Sequence, residues 1–449
     1  MHENRRYVKL SLIGLIAASA LFFPMTSGAE LVSSSRGASA LAFGPGATPS
    51  VAYVDGCALY VARRISARWT RRLAVRCLAL APSGLELAGA VVDAHGRVSV
   101  LARNAAGSKL VLVRQTASGF RQQTVVRTRT RGTLLGAPGI ALDPRGSPVV
   151  AYALRRASLD TFLRLVRVGR GGRLVATPIT LRGFPSAMRP PAAAPVLVRG
   201  RIHVIEAFGT EAIEWIPQNG RKWLGQFLFS SIRGDGFGPV YAAAAGGATW
   251  TAATLLEPEF GESDVLLTQR ADTETTSTVF THAQVAALAV AAGQPEIAAN
   301  EAVPVGDGTA TAGLLADVNG ATTELDGAIE GYAVGAGGAR NVLLVSDRGI
   351  EWFASPARPS VQVELQGDAT GAVSGRVVGA SGGSVDVFRE APGLPRTLVA
   401  TVPLARDGSF SANDQPVTSP TLYRAVYRDP ATGIPYARLL RTPVGPAGN

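Results

Sequence analysis

The sequence predicts an all-β protein: a seven-bladed β-propeller over residues 30–355, then a small β-sandwich over 361–445. Three observations carry this. A strand–turn–strand unit recurs seven times, with turn glycines Gly46, Gly96, Gly146, Gly200, Gly247, Gly293 and Gly338 spaced 45 to 54 residues apart. Two further strand-like runs follow each unit, giving four short strands per repeat. After residue 355 that period stops, and seven short apolar runs separated by turn residues take over.

The elements follow in chain order. Arg5, Arg6 and Lys9 precede an apolar run over 10–23, and Ser27-Gly28-Ala29 offers small residues for cleavage. Residues 1–29 therefore read as a signal peptide, its apolar run short for a bilayer span. No cysteine follows it to take a lipid. The first repeat, ALAFGPGATPSVAYV at 40–54, leads into runs at 58–62 and 72–76 that fold about a turn near Ala67. That pairing sets Cys57 opposite Cys77, so the lone cysteine pair of an exported chain reads as one disulfide.

The third repeat, GIALDPRGSPVVAYA at 139–153, shows the unit most clearly, with the polar turn Asp143-Pro144-Arg145-Gly146 between two apolar runs. The first run of each repeat is rich in Ala and Gly, as suits the innermost strand of a blade. The seventh repeat offers only three strands, at 331–334, 341–346 and 349–354. Residues 30–34 are expected to supply the fourth, which removes an open edge. Residues 356–360 read as a linker, and strands are expected at 361–365, 372–378, 384–388, 396–404, 409–412, 421–428 and 437–441.

The third repeat's turn with Val149-Val150-Ala151-Tyr152, and Asp93-Ala94-His95-Gly96 in the second, resemble secreted bacterial propeller repeats of the form D-x-x-G followed by V-V-A-[WY]. Repeats four to seven lack the Asp. The resemblance covers about residues 30–355 and implies fold without activity. Thr421-Leu422-Tyr423-Arg424-Ala425 resembles the T-x-Y-x-A stretch of fibronectin-type domains. It implies that Tyr423 is a tyrosine-corner residue, its ring packed and its hydroxyl tied to upstream backbone. Val373–Val377 and Asp407–Phe410 resemble carboxypeptidase-regulatory-like relatives of that fold, and both families imply a spacer or adhesion module.

The net charge of +11 hides a polarity along the chain. Residues 31–200 hold 25 Lys+Arg against 5 Asp+Glu, a net of +20, whereas residues 201–330 hold 5 against 17, a net of −12. Export and the lack of a recognition motif exclude nucleic acid as partner. The four histidines are dispersed, and no H-E-x-x-H, G-x-S-x-G, P-loop or C-x-x-C is present. The piece nearest to a sialidase Asp-box, Ser346-Asp347-Arg348-Gly349-Ile350-Glu351-Trp352, occurs once and lacks the spacing.

The candidate site is acidic. Glu257, Glu259, Glu262 and Asp264 are expected in a loop of the fifth repeat, Glu301 and Asp307 in the equivalent loop of the sixth, and Asp235 on the same face. No cofactor is expected, although hard carboxylate oxygens gathered there would suit calcium or the cationic groups of a ligand. The reading is a secreted, monomeric, non-catalytic binding or adhesion protein. Its partner is a glycan, a cell-wall polymer or an extracellular protein, and no membrane anchor remains after cleavage. The alternatives are a glycan-active hydrolase whose carboxylates converge only in three dimensions, or a structural scaffold of the envelope.

Overall fold

The computed structural model describes residues 29–441, apart from 44–47, 79–84, 105, 129–132, 157–159, 184–190, 210, 220–221, 231–235, 246–247, 258–261, 271–273, 306–307, 318–320, 336–337, 356–359, 369, 381, 391–395 and 416–420. Within these, helical structure is confined to short 3-10 turns such as Arg170–Gly172. The rest of the regular structure is strand.

The third repeat shows why the unit forms. Gly139–Leu142 pairs with Pro148–Arg155, whose central residues are buried on both faces and run VVAYA. Such a continuous run of β-branched and aromatic residues suits a strand covered on both sides. In the turn, Asp143 Oδ1 accepts from the Arg145 and Ser147 amides at 2.9 and 2.8 Å, and Gly146 takes φ +73°. The carboxylate replaces lost backbone partners, and only glycine adopts that φ without strain. Asp93 repeats the device with His95, Arg97 and Gly96.

Among the described residues, the strands up to Ser355 form seven antiparallel sheets in chain order. The first is Ser39–Phe43, Pro49–Asp55, Ala58–Ile65 and Arg68–Val75. The seventh is Ala328–Val334, Arg340–Ser346 and Gly349–Ser355, completed by Glu30–Ser33, with Glu30 opposite Trp352. Both ends of the repeat array thus share one sheet, through the pairing expected for residues 30–34.

The first strand of each sheet packs against that of the next, and the seventh against the first. Small residues are required there. A Cβ on Gly139 would lie 2.9 Å from the Ala193 carbonyl, and one on Gly331 would lie 2.5 Å from Leu41 Cβ. Apolar clusters fill the space between sheets. Val61, Val100 and Val111 pack between the first and second, and Tyr53, Leu343 and Trp352 between the first and seventh. Trp69 meets Trp352 edge-on at 5.6 Å in the latter. In the first sheet the chain reverses at Ser66 and Ala67, both at positive φ, and Cys57 and Cys77 form the expected disulfide with Cα atoms 4.7 Å apart.

From residue 362 the strands form two groups. Gln362–Gly367, Ala372–Val378 and Ser409–Asn413 make one sheet. Ser384–Glu390, Thr397–Pro403, Leu422–Arg428 and Pro435–Arg441 make the other, which continues into the sixth sheet where Tyr436 pairs with Leu325. Leu325, Ile329 and Phe353 share one apolar core with Val373, Val387 and Tyr427. Arg424 meets Asp326 at 3.1 Å, and Arg428 meets the fully buried Glu351 at 3.2 Å. These strands pack on the sixth and seventh sheets through that shared core and these ion pairs.

Candidate functional site

The ring of first strands encloses a cavity of about 280 Å³ to which every sheet contributes, from Ala40 in the first to Gly331 in the seventh. Its wall is mostly Ala, Gly, Pro and aliphatic residues. Against that lining, Glu86, Arg103, Tyr241, Glu330 and Tyr332 stand out.

Glu330 reaches the lumen through a register shift. In the strand Ala328–Val334, Ile329 pairs with Leu344 and Gly331 with Leu343, so Glu330 is the extra residue of a bulge. A bulge re-aims the side chain that it carries. Shifts at the same level leave Ala88 in the second sheet and Ala286 in the sixth unpaired, and both also line the cavity. The bulge is thus a shared feature of the wall, and in the seventh sheet it carries a carboxylate. Glu330 is exposed to the lumen but surrounded by the channel wall. That enclosure pushes its carboxyl up to about 7, opposed by a hydrogen bond from the Ser39 amide.

The other polar groups converge from other sheets. Glu86 and Arg103 are cross-strand partners of the second sheet, with Arg103 Nε 2.5 Å from Glu86 Oε2. Tyr241, on the fifth sheet, feels the charges of both Glu330 and Arg103. Burial pushes its hydroxyl up to about 12, Glu330 adds to the rise and Arg103 opposes it. Tyr332 turns its hydroxyl onto Glu296, which Arg340 also meets at 2.6 Å. The cavity is open to solvent, and its polar groups converge from several sheets between small and aliphatic residues. Glu330 passes between donor and acceptor near neutral pH, Arg103 donates, and Glu86 accepts.

The sequence-predicted acidic loop takes a different form. The strands Ala248–Glu257 and Glu262–Arg270 continue almost to the turn, with Glu257 and Glu262 as partners and Asp264 opposite Leu255. These residues are therefore held in a paired hairpin, where the expectation placed a free loop. Glu301 likewise sits inside Gln294–Val305, opposite Ala283 and Ala312, because that strand runs past the point where the pattern ends. Asp264 and Glu301 are half-buried. Burial raises the Glu324 carboxyl, Arg438 opposes this, and the Glu301 charge adds to the rise. Glu259, Asp235 and Asp307 lie outside the described residues. Among the described residues no group of three His, Cys, Asp or Glu side chains is placed to hold a metal ion.

Tyr423 is fully buried, as expected, but its hydroxyl donates to the Asp414 carboxylate at 2.9 Å and not to backbone. The nearby Arg389 pairs with the same carboxylate at 3.0 Å. The sequence reading passed over Glu86, Arg103, Tyr241 and Glu330. The available signal was a charge inside small-residue first strands, in LELAGAVV at 85–92 and AIEGYAV at 328–334.

No protein-family model matches the chain. No curated protein matches it either. Among solved structures, a lectin from Aleuria aurantia, described as a six-bladed β-propeller with a novel fucose recognition mode, aligns at 13% identity over 63% of this chain and 91% of its own, with a TM-score of 0.42. An α-L-arabinanase from Penicillium chrysogenum in complex with arabinobiose aligns at 11% over 58% and 90%, with a TM-score of 0.39. A microbial sialidase aligns at 11% over 72% and 66%, with a TM-score of 0.41. At such scores no ligand or activity transfers to this chain.

Proposed function

We propose that the seven sheets are the blades of a seven-bladed β-propeller, that the strands from 362 form a β-sandwich docked on blades six and seven, and that the protein is an exported glycan-binding protein. The ring order of the first strands supports the blade reading. The basic and apolar segment ahead of Ala29 and the Cys57–Cys77 disulfide support export. No helix among the described residues is long and apolar enough to cross a membrane.

One observation carries the binding reading: Glu330 is bulged into the central cavity, which Tyr241 and the Glu86–Arg103 pair also line. Sugar hydroxyls donate and accept, and these groups offer both roles in one cavity. Glu86 and Glu330 lie near the starts of their first strands. Leu256 pairs with the start of Gly236–Ala245 and Glu301 with the start of Ala283–Ala291, and in this reading Asp264 and Glu301 belong to an acidic rim at that end. Calcium belongs at that rim if it binds at all.

The test is binding of the purified protein to a glycan array, with calcium and with chelator, for wild type and Glu330→Gln. Loss of a specific glycan signal in E330Q supports the channel site. An unchanged signal removes it, and a signal lost only in chelator moves the site to the rim. A hydrolase is the second reading, because an enclosed carboxyl near neutral pKa and an ion-paired carboxylate share one cavity. Release of free sugar from a bound glycan would establish it over binding alone.

A further inference from the structure

The turn at the far end of each first strand lies at the opposite end of the ring from Glu86 and Glu330. The turn between the third and fourth strands lies at that same end, and across the first four sheets the turns there carry arginine. Arg68 follows the reversal at Ser66–Ala67, and Arg121 follows the corresponding turn of the second sheet. Arg145 and Arg173 belong to the two turns of the third sheet, and Arg199 and Arg201 flank the first turn of the fourth. All six are exposed. Among the described residues none of them has a carboxylate partner.

The turns abut across sheet boundaries. Arg63 of the first sheet donates to the Gly96 carbonyl in the second sheet's turn, and Arg114 of the second donates to the Gly172 carbonyl in the third's at 3.0 Å. The turns of the first three sheets are therefore in contact with one another, and the six arginines lie at one end of four consecutive sheets. The acids at these turns are engaged locally: Asp93 and Asp143 accept turn amides, and Asp93 also meets Arg97 at 2.7 Å. Burial lowers the Arg114 pKa, and the charges of Arg121 and Arg97 lower it further. Part of that response is repulsion from the exposed Arg121, which has no carboxylate partner among the described residues.

We propose that this end of the ring, across the first four sheets, is a docking surface for a linear anionic polysaccharide. Guanidinium forks match carboxylate, sulfate or phosphate groups two bonds at a time. Cations spread over the turns of four sheets suit a chain with charge at regular intervals better than a small anion. The choice of a polysaccharide rests on the export reading, whereas the surface itself does not depend on the channel site.

The experiment measures affinity for immobilised polygalacturonate over a salt series, with neutral dextran and a DNA duplex as comparators. The variant is Arg145→Glu with Arg173→Glu, two exposed turn positions, checked for folding by near-UV circular dichroism and melting temperature. The expected result is wild-type binding that weakens with salt, no binding to dextran, and about a tenfold loss in the double variant at low salt. The double variant keeps any glycan binding of the channel, so failure of the channel reading would leave this loss intact. Undiminished binding by the folded variant, equal binding to dextran, or tighter binding to the DNA duplex would overturn the proposal.

Discussion

The guanidinium of Arg424 lies 3.1 Å from the carboxylate of Asp326, both side chains are buried, and 98 residues separate them in the chain. Arg424 Nε also meets Glu390 at 2.5 Å, and Arg396 meets Asp326 at 3.0 Å. The C-terminal strands are thereby joined to the sixth sheet by charges out of water. Removing one member of such a set strands the others, a cost of about 3 kcal/mol. Arg424→Ala is expected to lose that much stability. All five tryptophans lie before Ser355, so their fluorescence in a urea titration reports on the ring alone. A lower tryptophan midpoint in R424A shows that the two parts unfold together. An unchanged midpoint shows that the contact transmits nothing.

The Cys57–Cys77 bridge closes a span of 20 residues around the outer hairpin of the first sheet. Closing a loop of this order stabilises by about 3 kcal/mol, by restricting the unfolded chain. Cys57→Ser with Cys77→Ser is expected to lower the urea midpoint accordingly, without a change in far-UV circular dichroism. Reduced wild type should match the double variant. If reduction leaves the midpoint unmoved, the hairpin is held by its strand pairing alone.

What the sequence disclosed follows from how local each feature is. The Asp143–Gly146 turn is legible because its hydrogen bonds join residues two and four apart. The disulfide is legible because the two cysteines are equidistant from one tight reversal. Glu330 was not, because its bulge depends on the register against Arg340–Ser346, which a one-residue shift changes without any change in composition. The loop expected at the acidic residues was drawn too long for a related reason: Glu257 and Glu262 look like loop residues by type, and cross-strand pairing holds their backbone in the ladder. Asp414 as the partner of Tyr423, and Asp326 as the partner of Arg424, depend on segments that the chain brings together only when folded.

Glu330 makes stability depend on pH in a stated direction. Its carboxyl is raised from the ordinary 4.5 to about 7 by enclosure in the channel. Between those values the folded protein holds a proton that the unfolded chain has released. Stability therefore falls as pH rises through that window, and levels off above about 7. Water in the lumen screens the group, which limits the effect to about 1 kcal/mol. Glu330→Gln is expected to be more stable than wild type at pH above the window, and to show a flatter profile across it. The measurement is the urea midpoint of both proteins at a series of pH values. Parallel profiles would mean that Glu330 ionises in the channel as it does in water.

The strand Glu30–Ser33 joins the two ends of the array, and its grip is chemical as well as geometric. Arg64 of the first sheet donates to both oxygens of Glu30, at 2.6 to 3.0 Å, and stacks over Trp352 of the seventh at 5.0 Å. One arginine thus ties the N-terminal strand, the first sheet and the seventh. A half-buried bidentate pair of this kind contributes about 1 kcal/mol, so Glu30→Gln is expected to cost that much. Deleting residues 30–33 should do something different in kind. It uncovers the edge of Gly349–Ser355, whose residues GIEWFA are all buried and apolar apart from Glu351. An open apolar edge recruits another strand. The expected outcome is a concentration-dependent rise in mass by light scattering for the deletion variant, with E30Q remaining at the wild-type mass. A deletion variant that stays at wild-type mass would show that the seventh sheet is complete with three strands.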